Sequence, residues 1–321
     1  MKIILPGGSG QVGTLLARAF QRDGHEVIVL SRSMTHLGES PPWKVAMWDA
    51  RSAGPWESEL ENADAVINLA GRSVNCRYSA HNRRVIKDSR TTSARLVGEA
   101  IARRARPPRV WLQASTATIY AHRYDAPNDE KTGILGGGEP GAPDTWNFSI
   151  DVAKSWEQAA ESVPLPAGTR RVLLRSAITM NADPGSAFAV LLSLVRAGLG
   201  GTEGNGRQFV SWIHEEDFVR AVYWLLEHPE LDGPVNLAAP HPLPNADFLR
   251  ALRRAWGMPV GLPAARWMLE IGAFFLRTET ELILKSRRVV PTRLEQSGFT
   301  FHFPKWPEAA RDLCRRWRER R

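Results

Sequence analysis

Three glycines, spaced Gly7-x-x-Gly10-x-x-Gly13, follow directly on the apolar run Ile3-Ile4-Leu5 and lead straight into the run Val12–Phe20. No other feature constrains the fold as strongly. A buried first strand has to turn sharply into a helix at this point. A pyrophosphate held there would meet the free N–H groups and positive dipole end of that helix. Side chains would block so close an approach, and glycine has none. The turn from Gly7 through Gly8, Ser9, Gly10, Gln11 and Val12 to Gly13 is therefore read as a dinucleotide cradle, with a merely structural glycine turn as the alternative.

The pattern beyond the turn supports that reading. The first helix should stop at Asp23-Gly24, and a second strand follows at Glu26–Leu30. Further strands are predicted at Trp43–Asp49, Ala63–Ala70, Arg109–Ser115 and Arg171–Thr179, with helices from about Ser79 to Arg104 and from Ser149 to Glu161. Repeated strand and helix units of this length build a doubly wound parallel sheet, an α/β fold of the Rossmann kind, over residues 1–180. Past Asn181 the pattern loosens into a smaller, mostly helical lobe over residues 181–321, from which one strand near Pro234–Ala238 returns to the sheet. In that lobe Pro259–Leu284 reads as an apolar helical stretch, and Phe299–Phe303 alternates like a short strand. The Gly-, Pro- and Asp-rich segment Asp125–Asp144 reads as a loop and candidate lid.

Composition narrows the function classes. With 321 residues, 43% of them hydrophobic, the chain can bury a large core. Its longest apolar runs fall short of a membrane span, and strand one begins at Lys2-Ile3-Ile4 with no room before it for a signal peptide, so a cytoplasmic protein without membrane contact is expected. Cys76 and Cys314 lie far apart with no metal-ligand spacing, which suggests neither a disulfide framework nor a metal site. The formal charge of +8 is partly local, because Arg315–Arg321 holds five arginines and one glutamate. A basic helix end is preferred there to a nucleic-acid contact, since no nucleic-acid module accompanies it. Most of the twelve tryptophans, Trp156 and Trp224 among them, sit in amphipathic helical patterns and read as packing anchors.

At the end of the second strand stands Ser31-Arg32-Ser33, where an NAD-specific protein usually offers the adenine ribose a carboxylate. Arginine cannot accept those hydroxyl hydrogen bonds. Its guanidinium pairs with a 2′-phosphate, helped by the flanking hydroxyls, so NADP is the expected cofactor and a solvated loop arginine the alternative.

With its longer first gap, Gly7-Gly8-Ser9-Gly10-Gln11-Val12-Gly13 resembles the fingerprint of the extended short-chain dehydrogenase/reductases. Asn68-Leu69-Ala70-Gly71 resembles their N-x-A-G motif, in which the turn lies against the cofactor ribose, and Asp49 stands where members contact the adenine amino group, although it serves equally as a helix cap. Ala114-Ser115-Thr116-Ala117-Thr118-Ile119-Tyr120 is similar to the S-S-x-x-x-Y segment, with Thr116 in the place of the catalytic serine. The resemblance next implies Y-x-x-x-K, whose tyrosine is the general acid or base and whose lysine holds the nicotinamide ribose. Lys154 is present, but four residues earlier stands Ile150, which exchanges no proton. Either another group serves, with Tyr120 or a hydroxyl such as Ser149 as candidates, or the protein binds NADP without the usual oxidation. Tyr120 is otherwise a structural residue.

Gly204–Asp217, in which Asp217 would begin a helix over Phe218–Leu226, resembles the family's segment near the substrate, and His214 within it reads as a packing or capping residue rather than a base. With Asn236–Pro240, Asn245 and Arg287–Pro291 this points to one subgroup, the atypical extended "epimerase family" proteins with a small C-terminal domain. The resemblance implies an NADP-dependent oxidoreductase or epimerase-like protein acting on a small carbonyl, hydroxyl or nucleotide-linked substrate. A non-catalytic NADP(H) sensor or scaffold is the competing reading, and a homodimer stays open.

Overall fold

The computed structural model describes residues 1–33, 41–264 and 284–320. Its apolar β-runs form a seven-stranded sheet built from β1 (Lys2–Pro6), β2 (Glu26–Ser31), β3 (Lys44–Met47), β4 (Ala65–Asn68), β5 (Val110–Thr116), β6 (Arg170–Ser176) and β10 (Gly233–Leu237). All neighbours pair in parallel, in the order β10-β6-β5-β4-β1-β2-β3. Ile3, Ile4 and Leu5 are fully buried because helices cover both faces. On one face α1 (Gln11–Arg22) and α5 (Glu215–Glu227) contribute Leu16, Phe20, Phe218, Val222 and Leu225. On the other, α2 (Ala80–Ala102) and α3 (Asp144–Glu161) contribute Ala94, Val97, Ile101, Trp156 and Ala160. The strand order reverses between β1 and β4, and in such sheets ligands bind outside the carboxyl ends of the strands near that reversal.

The sixth predicted strand divides. β6 ends at Ser176, opposite Leu237 at the end of β10, so a straight continuation would meet no partner there. Ala177 donates its N–H to the Leu237 carbonyl, and the chain resumes as β7 (Ile178–Met180), which pairs in parallel with β9 (Trp212–His214). That step carries the chain into the second core, where α4 (Ala187–Arg196), α6 (Asn245–Trp256) and α8 (Trp306–Glu319) pack around Phe188, Leu192, Trp212, Phe248, Trp306 and Leu313. A two-residue antiparallel pair, β8 (Phe209–Val210) with β11 (Leu243–Pro244), a short helix α7 (Thr292–Gln296) and two 3-10 turns, Pro55–Leu60 and Ala117–Ile119, complete the described elements.

Other boundaries differ from the sequence reading. α3 begins five residues early, at Asp144, whose carboxylate sits in the first turn and pairs with Arg83 at 2.6 Å. α5 is capped by His214, not Asp217: the His214 Nδ1 accepts the Glu216 N–H at 3.1 Å. Asp217 instead accepts the backbone N–H groups of His302 and Phe303, both at 2.8 Å. Because that carboxylate serves those N–H groups, Phe299–Phe303 runs as irregular chain rather than a strand, although Phe299 is buried as its pattern required. Of the predicted helix Pro259–Leu284, residues 259–263 are irregular chain and Ala264 makes an isolated bridge with Glu203, while 265–283 lie outside the described residues. The terminal arginines are used inside the fold: Arg315 pairs with Asp312 and Glu319, Arg316 with Glu215 and Glu216, and Arg320 with Asp183.

Candidate functional site

Two clefts open along the carboxyl edge of the sheet. The larger, about 600 Å³, is lined by Gly7, Ser9, Gly10, Ser31, Arg32, Asp49, Arg51, Leu69, Ala70, Gly71 and Arg72, together with Val85, Asp88, Ser89 and Thr92 of α2. Its geometry explains why the turn is glycine. Gly7 sits at φ +75°, and a Cβ there would stand 2.6 Å from the Ala70 Cα. At Gly13 a Cβ would stand 2.5 Å from the Gly8 Cα, so these two positions are closed by backbone. Gly10 differs. A Cβ there would meet only the Gly7 carbonyl at 3.7 Å and would otherwise project into the cleft, so the missing side chain leaves room for a ligand. Gly10 is also the N-cap of α1 and supplies no side chain, nor is there an acidic residue in the first turn to compete for its N–H groups. The cradle fits a pyrophosphate.

The second strand closes this cleft. The Ser31 Oγ donates to the Ser33 carbonyl at 2.8 Å and reaches the Ser9 Oγ at 3.1 Å, tying the strand end to the glycine turn. Arg32 is exposed at the rim with Arg51 and Arg72, a cationic edge that sequence spacing alone did not gather. Asp49 lines the cleft, but its carboxylate is engaged in a turn, accepting Arg51 N–H, Ser52 N–H and the Ser52 hydroxyl, which hold it below the usual carboxylate range. Asn68 bridges β4 to β5 through Gln113 at 2.9 Å and accepts the Ala70 N–H, shaping the turn at Leu69-Ala70-Gly71. Gly8, Gln11, Val12 and Gly13 build the turn without lining the cleft.

The smaller cleft, about 250 Å³, lies where β5, β6 and α3 converge. It is lined by the hydroxyl-bearing Thr116, Thr118, Ser149 and Ser176, the aromatic Tyr78, Phe148 and Trp156, and Arg90 and Arg287. Thr116 lines this cleft from the end of β5. Its Oγ1 accepts the Thr118 N–H at 3.2 Å, leaving the hydroxyl proton to donate. Ser149 lines the cleft as well.

Besides those four turn residues, three expected site residues do not reach either cleft. Ser115 is buried and donates to the Glu157 Oε1 at 2.5 Å. Tyr120 is 2% exposed; its hydroxyl donates to the Asn236 Oδ1 at 2.9 Å and accepts from Arg175 at 3.0 Å, and burial pushes its phenol above the usual range. It is therefore a strut between β6 and β10. Lys154 is exposed on the opposite side of α3 from the cleft. At 100° per residue Phe148, Ser149, Val152 and Trp156 share one face, whereas Ile150 and Lys154 share another, packed toward the loop at Gly136 and Gly137. The expected Y-x-x-x-K positions thus fall on the face of α3 opposite the one that lines the cleft. Of the expected lid, Asn128 and Glu130 are pinned: the Asn128 Oδ1 accepts the Ile134 N–H, and the Glu130 Oε1 accepts the Asn236 N–H at 2.8 Å.

Arg90 was the residue that sequence reasoning missed. A signal was available, because α2 carries an apolar stripe through Ile86, Ala94, Val97 and Ile101, and Arg90 interrupts it.

A model of the NAD dependent epimerase/dehydratase family matches residues 3–138, and one for a domain of unknown function, DUF1731, matches residues 264–313. The chain is 30% identical over 318 residues to the epimerase family protein SDR39U1 of Bos taurus, covering 98% of this chain and 99% of that protein. It is also 30% identical over 305 residues to the epimerase family protein YfhF of Bacillus subtilis, covering 94% of each. Among solved structures it is similar to human epimerase family protein SDR39U1 (isoform 2) with NADPH, at a TM-score of 0.82 and 28% identity over 98% of this chain and 99% of that one. The UDP-N-acetylglucosamine 4-epimerase from Bacillus cereus shares the fold, with a TM-score of 0.75 at 18% identity over 99% of each chain.

Proposed function

The chain belongs to the epimerase family, and from that premise we propose that it binds NADP(H) in the glycine-turn cleft and presents it to a small-molecule substrate in the hydroxyl-lined cleft. The observation that carries the reading is the side-chain-free wall at Gly10 beside a cationic rim containing Arg32. The residues divide the work. Gly7 to Gly13 and the N-terminus of α1 receive the pyrophosphate, and Arg32, flanked by Ser33 and held at the strand end by the Ser31 hydrogen bonds, receives the 2′-phosphate. The Leu69-Ala70-Gly71 turn brings backbone against the ribose. Bound there, the nicotinamide supplies hydride exchange. Thr116 supplies a hydroxyl donor for a substrate oxygen, which makes a redox step of an oxidoreductase or epimerase kind the leading reading; residues 1–180 furnish the cofactor cleft and most of the hydroxyl cleft, to which Arg287 is the contribution of residues 181–321 among the described residues.

One observation favours a second reading, a non-catalytic NADP(H) sensor: the face of α3 toward the cleft offers Phe148, Ser149, Val152 and Trp156, with no titratable acid. Fluorescence titration separates the cofactor claims. NADPH should bind more tightly than NADH by about 1–2 kcal/mol, and Arg32→Ala should remove that difference. Equal affinities in the unmodified protein would end the case for Arg32. Tight NADPH binding without oxidation across aldehydes, ketones and nucleotide sugars would favour the sensor.

A further inference from the structure

Arg90 places a guanidinium at the wall of the smaller cleft, inside the apolar stripe of α2. The two faces of this helix are distinct: Val85, Asp88, Ser89 and Thr92 line the glycine-turn cleft, whereas Ile86 and Arg90 line the hydroxyl cleft. Both hydrogen bonds that Arg90 donates within the protein come from Nη1, to the Arg72 carbonyl at 2.9 Å and the Ile86 carbonyl at 3.1 Å. The guanidinium carbon stands 5.1 Å from the centre of the Trp156 ring. Among the described residues no acceptor meets Nε or Nη2, and no carboxylate pairs with the group. Its charged-state neighbours are the Tyr78 phenol and the Cys76 thiol, and burial lowers it to about 10, so it is a cation at neutral pH. The side chain is half-buried, and two carbonyls and a ring face compensate its guanidinium only in part. Placing a cation where an apolar residue would continue the stripe carries a desolvation cost that a ligand anion offsets.

We propose that Arg90 receives the carboxylate of a compact substrate, with the Thr116 hydroxyl directed at a neighbouring carbonyl or hydroxyl oxygen of the same molecule. The inference rests on the reading of the hydroxyl cleft as the substrate side and narrows the substrate to small oxo- or hydroxy-carboxylates. Three features select that class. A planar guanidinium with Nε and Nη2 available matches a carboxylate in bidentate geometry. The cleft volume of about 250 Å³ lies at or below the small end of ligand sites, too little for a nucleotide-linked sugar. One side of the wall, formed by Phe148, Val152, Trp156 and the ring of Tyr78, is apolar and lowers the local dielectric beside the ion pair.

Calorimetric titration with oxamate, a compact carboxylate carrying an adjacent carbonyl, tests this with and without saturating NADPH. The unmodified protein should bind oxamate at least tenfold more tightly than the uncharged lactamide, a comparison that needs no variant. Arg90→Met should weaken oxamate at least tenfold while leaving NADPH affinity within about twofold, and Arg90→Lys should retain part of the oxamate binding. Equal affinity for oxamate and lactamide, or oxamate binding that survives Arg90→Met in a folded protein, overturns the proposal. A parallel loss of NADPH affinity in Arg90→Met also overturns it, because the anion on Arg90 would then be the cofactor pyrophosphate. Failure of NADPH to bind the unmodified protein, with Arg90-dependent oxamate binding intact, would overturn the cofactor reading and leave this one standing.

Discussion

The two clefts along the same sheet edge are built in different ways. The glycine-turn cleft is assembled mainly from short stretches, residues 7–10, 30–32, 48–51 and 69–72, and its shape is fixed by backbone meeting backbone at Gly7 and Gly13. The hydroxyl cleft collects side chains from segments spread between Val74 and Arg287, and its lining residues Thr116, Trp156 and Ser176 each adjoin in sequence a member of a buried polar network reaching across four elements. In that network Glu157 of α3 accepts from Ser115 of β5 and holds Arg175 of β6 in a two-point ion pair at 2.7 and 2.8 Å. Arg175 in turn donates to Tyr120, which donates to Asn236 of β10. A local motif tolerates little change at its own positions, whereas a distributed site is sensitive at residues that touch no ligand.

The largest expected effect sharpens that contrast. Glu157→Ala leaves the Arg175 guanidinium buried without its partner and should cost about 3–5 kcal/mol of unfolding free energy, read by urea denaturation. Tyr120→Phe removes one donor and one acceptor from the same network and should cost about 1–3 kcal/mol, with NADPH affinity retained in the folded fraction. A Tyr120→Phe protein as stable as the parent would break the view of Tyr120 as a strut.

Next in size is a pair within the glycine turn. Gly7→Ala puts a side chain at positive φ and 2.6 Å from backbone, so thermal and urea unfolding should register a loss of about 3 kcal/mol. Gly10→Ala meets only an ordinary 3.7 Å contact and should fold as the parent does, yet weaken NADPH roughly tenfold by occupying the ligand's space. If the two substitutions have the same effect on stability, the separation of packing glycines from the ligand-facing one is wrong.

The smallest effect is a null. Lys154→Met should leave NADPH affinity within about twofold and the melting temperature within a degree or two, because Lys154 is exposed on the face of α3 turned away from both clefts. A tenfold loss of NADPH affinity would restore Lys154 as a ribose ligand. For the same reason Ile150→Tyr cannot supply the missing acid, since its side chain packs toward Gly136 and Gly137.

The places of the strands along the chain and the glycine turn were legible in the sequence, while the Asn68–Gly71 turn and Thr116 were singled out through the family resemblance. The features read from residues alone are effects of neighbours in the chain: continuous apolar runs buried on both faces and a glycine turn with a positive φ at Gly7. The division of the sixth strand at Ala177 was not legible, because it depends on where β10 ends and on a partner strand more than thirty residues away. The capping of α5 by His214 was decided in the same way, since the Asp217 carboxylate is held by N–H groups at His302 and Phe303. The faces of α2 and α3 show the limit most sharply. Spacing shows that Phe148, Val152 and Trp156 share a face, and that Ile86 and Arg90 share another, but not which face meets a cleft. Only the packing of both helices on one side of the sheet settles that, and with it the assignment of Lys154 to solvent and of Arg90 to the cleft wall.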